Sequence, residues 1–288
     1  MVKVDSTNGI IYVGDIMYGT IIGDIAGSYY EMHNIKTKKF KFMDKNKSSF
    51  TDDTVMTLAV CKSLLECDGN YSKLHDIVIN NMVTIGRNHS QCGFGDKFFG
   101  WIIKDDHSPY NSFGNGAAMR VGCCGIVGKN MEEVKKISKI VTEVSHNHEE
   151  ALKAAEAVSV AVFLAKTGSH KEKIKKYIID NYYDLNFTLE EKRASYGSSL
   201  SCQDSVPQAF VSFFEAKNYE DAIRNAISIG GDSDTVAAIA GVIAGEYYGI
   251  PLKFIKKAQK FFDFQWDEDL INVMINFEKK YPTKKKLF

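Results

Sequence analysis

Two acidic segments, far apart in the chain, begin in the same way. Asp53-Thr54-Val55-Met56-Thr57-Leu58-Ala59 and Asp234-Thr235-Val236-Ala237-Ala238-Ile239-Ala240 share an Asp-Thr-Val start and an apolar continuation. Each has a second carboxylate just upstream: Asp52 in Thr51-Asp52-Asp53-Thr54, and Asp232 in Gly230-Gly231-Asp232-Ser233-Asp234-Thr235. Asp and Thr at a helix start ordinarily cap orphan N–H groups and suit the positive end of the helix dipole. One carboxylate per start is enough for that. Two repel each other unless a cation compensates, and the four Asp carry about −4, which two divalent ions would neutralise. Carboxylate and hydroxyl oxygens are hard ligands, suited to Mg²⁺ or Mn²⁺ and not to zinc. A D-x-D beside a Thr also suggests the haloacid-dehalogenase phosphatases. Their D-x-D-x-[TV] follows an apolar strand near the chain start, whereas Asp234 is followed directly by Thr235 and preceded by Gly230-Gly231.

Helices must position these starts. Apolar residues recur at helical spacing over 52–66, 149–165, 204–216, 219–229 and 235–248. The second of these is apolar on nearly every side and reads as a buried central helix. The last is rich in Ala and Gly, so neighbours can approach it closely, and Gly249 with Pro251 forms its stop signal. Alternation suggestive of strands is confined to 9–13 and 39–43. The expected fold class is all-α, one compact orthogonal helical domain over 1–288. Residues 1–16 read as an irregular or strand-like extension, and 282–288, with Lys284, Lys285 and Lys286, as a basic tail.

Lys+Arg and Asp+Glu both number 36, so no general field favours nucleic acid or an acidic membrane surface. Apolar residues at 44% and charged residues at 25% are a globular balance. The six cysteines contain no C-x-x-C pair, and reduced thiols in a cytoplasmic protein are the simplest reading. The apolar run over 10–30 is broken by Asp15, Asp24 and several glycines, which makes it a poor membrane span. No heptad stripe stands out, and the chain reads as a monomer.

The chain resembles the ADP-ribosylglycohydrolase family, which includes the dinitrogenase-reductase-activating glycohydrolases and the ADP-ribosyl-acceptor hydrolases. The resemblance rests on GTIIGDIAGSYYE (19–31), FTDDTVMTLAV (50–60), YNSFGNGAAMRV (110–121), SHNHEEA (145–151) and IGGDSDTVAAIAGVIAGEYYGIP (229–251), in family order. It implies an all-α fold around a binuclear Mg²⁺ or Mn²⁺ centre. Thr51, Asp52 and Asp53 would ligate from one helix start, and Asp232, Asp234 and Thr235 from the other. Glu31 matches the acidic residue that the family places beside the metals. Ser112, Phe113, Gly114, Asn115 and Gly116 match the loop that holds ADP-ribose, with Phe113 a face for adenine, Asn115 a partner for a ribose hydroxyl and the glycines a backbone cradle for the diphosphate. His146 matches a histidine near that diphosphate. A lone His before a buried helix is more often a cap or core residue, and for His148 that simpler reading is preferred. Asp96 falls where some arginine-specific members carry an Asp near the substrate; the competing reading is a surface helix carboxylate.

The activity so implied is metal-dependent hydrolysis of the C1″ bond of ADP-ribose conjugates, with an ADP-ribosylated protein as partner and Glu31, or alternatively Asp96, as general acid or base. Two other readings stand beside it: hydrolysis of a free metabolite such as O-acetyl-ADP-ribose, and a non-catalytic relative that binds ADP-ribose or serves structurally.

Overall fold

The structure, a computed structural model, describes residues 3–5, 10–12 and 17–282. Lys284, Lys285 and Lys286 lie outside the described residues. Lys3–Asp5 (β1) and Ile10–Tyr12 (β2) pair antiparallel, with Val4 opposite Ile11. Everything regular beyond them is helix. The first half holds α1 (Tyr18–Met32), α2 (Asp52–Cys67), α3 (Leu74–Asn88), α4 (Asp96–Ile103), α5 (Gly116–Met119), α6 (Gly122–Val127) and α7 (Met131–Glu143). The second holds α8 (Glu149–Lys166), α9 (Lys171–Asn181), α10 (Leu189–Ser195), α11 (Cys202–Phe214), α12 (Tyr219–Ser228), α13 (Ser233–Tyr248), α14 (Leu252–Ala258) and α15 (Glu268–Lys280). All-α is therefore the fold class.

The expected helices are present, with shifted ends. α11 starts at Cys202 and carries Pro207 inside it. α13 starts at Ser233, two residues early, so Asp232 is its N-cap residue. Residues 39–43 are not a strand. The carbonyls of Phe40, Lys41 and Phe42 are taken by side chains: Arg224 Nη1 donates to Phe40 at 3.1 Å, the Tyr30 hydroxyl to Lys41 at 3.2 Å, and Lys257 Nζ to Phe42.

α13 is the axis of the fold. It is buried from Ser233 through Ala244 and packs against α1, α8, α11 and α12. α8 is buried along most of its length as well. The contact between α1 and α13 is a backbone contact. Gly19, Gly23 and Gly27 recur every four residues along α1, so they lie on one face. A Cβ on Gly19 would stand 2.7 Å from the Gly241 carbonyl oxygen, and one on Gly27 would stand 2.5 Å from the Asp234 Cα. Glycine is required there to let two helix axes approach. This contact brings the second half of α1, from Asp24 to Glu31, toward the acidic start of α13.

Candidate active site

Three segments supply the acidic centre: the end of α1, the start of α2 and the start of α13. Asp24, buried on α1, organises the second segment. Its Oδ2 accepts from the Thr51 amide at 2.9 Å and the Thr54 amide at 3.1 Å. Its Oδ1 accepts from the Thr51 hydroxyl at 2.9 Å, and the Thr54 hydroxyl also donates to Oδ2. Burial still pushes its carboxyl up to about 6, against those donors. Thr51 caps α2, its hydroxyl accepting weakly from the Asp53 amide at 3.4 Å. The Asp52 amide donates to the Cys92 carbonyl at 2.7 Å and ties the loop before α4 to the same place.

The start of α13 is shaped by two glycines in the left-handed region, Gly230 at φ 72° and Gly231 at φ 78°. Lys36 Nζ donates to the Ile229 carbonyl and, at 2.7 Å, to the Tyr196 carbonyl; Asn34 accepts from the Gly231 amide. Asp232 occupies the N-cap position yet makes no capping bond. Its carboxylate instead accepts from Asn115 Nδ2 at 2.6 Å and faces the centre. Capping therefore does not account for the doubled carboxylate there.

Carboxylate oxygens of Glu31, Asp232 and Asp234 lie within 4.8 Å of one another. Asp53 Oδ2 accepts from the Thr235 hydroxyl at 3.1 Å, which joins the two helix starts, while its Oδ1 is sealed from solvent with no partner. Burial is the main cause that raises the carboxyls of Asp52, Asp53 and Asp234 well above the usual range. The next causes are other carboxylates: Asp24 and Asp232 for Asp52, Asp24 and Asp52 for Asp53, Asp232 and Asp53 for Asp234. Glu31 is raised by burial, then by Asp232 and Asp24. Buried anions whose chief neighbours are anions, plus a buried acceptor with no donor, fit a hard divalent cation.

The Ser112–Gly116 loop leans on the same centre. The Ser112 hydroxyl accepts from the Gly114 amide at 3.1 Å, and the Leu200 carbonyl accepts from the Asn115 amide at 2.8 Å. Those two amides are thus engaged within the protein. Asn115 is buried, with Nδ2 shared between Asp232 and Ser205, so its amide is committed to the acidic centre. Phe113 is 49% exposed and presents its ring beside His148, centroids 5.4 Å apart. His148 caps α8 by accepting from the Glu150 amide at 3.1 Å. His146 is buried, and Nε2 stands beside Gly114 and Gly116. Asp96 is exposed in the first turn of α4, four residues beyond the Cys92 anchor. The residue that sequence reading missed is Asp24, which appeared there only as a charge interrupting an apolar run.

The acidic centre lies between helix starts of an all-α fold, and its oxygen atoms are of the hard type that could hold a divalent cation. The ADP-ribosylglycohydrolase family model matches residues 13–283. ADP-ribosylhydrolase ARH3 of Homo sapiens is 24% identical over 81% of this chain and 84% of that one. ARH3 of Xenopus tropicalis is 25% identical over 88% and 93%. A solved chain described as an ADP-ribosylglycohydrolase-related protein complex superposes with a TM-score of 0.67 at 19% identity, covering 91% of this chain and 95% of that one, and shares the fold. The chain belongs to the ADP-ribosylglycohydrolase family. It is a hydrolase.

Proposed function

We propose that this protein hydrolyses the C1″ glycosidic bond of ADP-ribosylated protein side chains and releases ADP-ribose, with two Mg²⁺ or Mn²⁺ held by Thr51, Asp52, Asp53, Asp232, Asp234 and Thr235. The observation that carries this reading is the approach of Glu31, Asp232 and Asp234 to within 4.8 Å at the junction of two helix starts. Divalent ions held by these residues would supply Lewis acidity toward water and the ribose hydroxyls. Glu31 is the general acid or base, since burial and neighbouring anions favour its protonated form. Asp96 is the second candidate for that role. Phe113 offers a flat, half-exposed face for adenine. Asn115 holds Asp232 in place, and His146 reaches the diphosphate across Gly114 and Gly116. The chain acts as one domain and as a monomer. Among the described residues no helix is long and apolar enough to cross a membrane, and six free cysteines suit a reducing, cytoplasmic compartment.

The test is a substrate panel. Protein stripped with EDTA and reloaded with Mg²⁺ or Mn²⁺ is offered ADP-ribosyl-arginine, ADP-ribosyl-serine peptide and O-acetyl-ADP-ribose, and free ADP-ribose is measured. Release from a side-chain conjugate, lost in EDTA, is the expected result. Turnover of O-acetyl-ADP-ribose alone would move the assignment to a free metabolite. Binding of ADP-ribose with every conjugate left intact would make the protein a non-catalytic relative.

A further inference from the structure

Arg120 heads the fully buried side chains by volume, and no ion pair with a carboxylate is found for it among the described residues. Its Nη2 donates to Ser145 Oγ at 2.8 Å, while Nε and Nη1 have no partner. The Phe98 ring lies 5.4 Å from the guanidinium carbon. Ser145, itself fully buried, has its Oγ 2.9 Å from His146 Nδ1. Burying an unpaired cation is costly, so its placement calls for a physical account.

Donor and acceptor counting provides one. A guanidinium can only donate, so Ser145 Oγ is the acceptor in that bond. Among the described residues the hydroxyl's own hydrogen then has one acceptor within reach, His146 Nδ1. If Nδ1 carried a proton instead, Ser145 would hold a sealed O–H with nowhere to donate, and the desolvation cost would stand uncompensated. His146 is thus a neutral imidazole protonated on Nε2. That atom lies 3.6 Å from where a Cβ on Gly114 would stand and 3.5 Å from one on Gly116. Phe98 and Tyr110, with ring centroids 6.0 and 5.6 Å away, fix the ring plane. Burial, then the Arg120 charge, lowers the imidazole well below its ordinary value and keeps it neutral.

We propose that Arg120 and Ser145 form a buried relay that locks His146 as the Nε2–H tautomer and aims that N–H at an anionic oxygen of a ligand held by the Gly114–Gly116 loop. Arg120 and Ser145 are positioning residues and touch no ligand. The ligand oxygen belongs to a diphosphate, and for that identity the inference rests on the proposed function.

The test begins with the wild-type protein labelled with ¹⁵N-histidine. Long-range ¹H–¹⁵N correlation at pH 7.5 reads which ring nitrogen is protonated, with His146→Gln identifying the signals. The expected pattern is Nε2 protonated and Nδ1 accepting, with the Nε2 resonance moving on addition of ADP-ribose. In Ser145→Ala the Nδ1 signal should lose its acceptor signature and the tautomers should mix. Affinity for ADP-ribose should fall about 3- to 10-fold, with KM raised and kcat little changed, as expected for loss of a neutral hydrogen bond's positioning. Wild-type His146 protonated at Nδ1 would overturn the relay even if conjugates are hydrolysed. So would a folded Ser145→Ala whose His146 signals and ADP-ribose affinity match wild type. A wild-type protein that neither binds ADP-ribose nor cleaves a conjugate would overturn the proposed function and the ligand half of the inference, while the tautomer measurement would still decide the relay.

Discussion

Asp24 accepts four hydrogen bonds, all from Thr51 and Thr54. Its work is to hold the first acidic loop in a shape that leaves Asp53 Oδ1 unpartnered. Asp24→Asn keeps the size but turns one acceptor oxygen into a donor facing donors. Groups that orient metal ligands commonly change metal affinity or activity by about 10- to 100-fold when altered. That loss is expected here, read by Mn²⁺ titration and initial rates; unchanged Mn²⁺ affinity would mean the loop holds its own shape. A second contrast separates the two candidate acids. Glu31→Gln should lower kcat by about 10²- to 10⁴-fold, whereas Asp96→Asn, in an exposed first helical turn, should cost less than about 10-fold. The reverse order would move the acid–base role to Asp96. Asp24 was not legible in the sequence because its donors lie 27 and 30 residues away and leave no local pattern. Asp232 and Asp234 were legible because a Gly-Gly turn and doubled carboxylates sit side by side. Asn115 was visible as a loop residue, but its commitment to Asp232, 117 residues on, needed the fold.

At the scale of elements, the α1–α13 contact is what makes the site. The Ala- and Gly-rich run of α13 was readable as a helix that admits close neighbours. Its partner was not, because three glycines four apart look like any glycine-studded segment until the facing helix is known. Gly27 is the sensitive position, since a Cβ there would meet the Asp234 Cα at 2.5 Å, backbone against which no side chain can yield. Gly27→Ala should destabilise by about 1–3 kcal/mol through overpacking and reduce activity further by displacing Asp234 from Glu31. Gly100, inside α4, meets nothing within 4 Å. Gly100→Ala should stabilise by about 0.4–1 kcal/mol, because the unfolded chain loses more freedom than the folded one. Urea denaturation of both variants checks the pair. Equal effects would mean that the seam yields more than its backbone contacts imply.

For the molecule as a whole, the equal counts of 36 acidic and 36 basic side chains conceal an uneven distribution. Asp24, Glu31, Asp52, Asp53, Asp232 and Asp234 converge on one centre. In the metal-free protein, Asp24 titrates at about 6, and Asp52, Asp53 and Asp234 well above the ordinary Asp value. Above about pH 4 the native state therefore binds protons that the unfolded chain has released, and stability falls as pH rises through about 6 and beyond. His146 works the other way. Its native value is depressed, so stability is lost as pH falls below about 6.5, where the unfolded chain takes up a proton that the native site refuses. Four carboxyls outweigh one imidazole. In EDTA the melting temperature should consequently be higher at pH 5.5 than at pH 7.5, against the usual expectation for a protein held together by carboxylate pairs. A divalent ion bound as proposed should reverse the order, because it needs the deprotonated carboxylates. At an ion concentration 100 times Kd the gain is about 2.7 kcal/mol, which is several degrees for a chain of this size. It should appear at pH 7.5 and shrink at pH 5.5. A melting temperature in EDTA that is flat across this range, together with an equal Mn²⁺ shift at both pH values, would mean that these carboxylates do not share a cation.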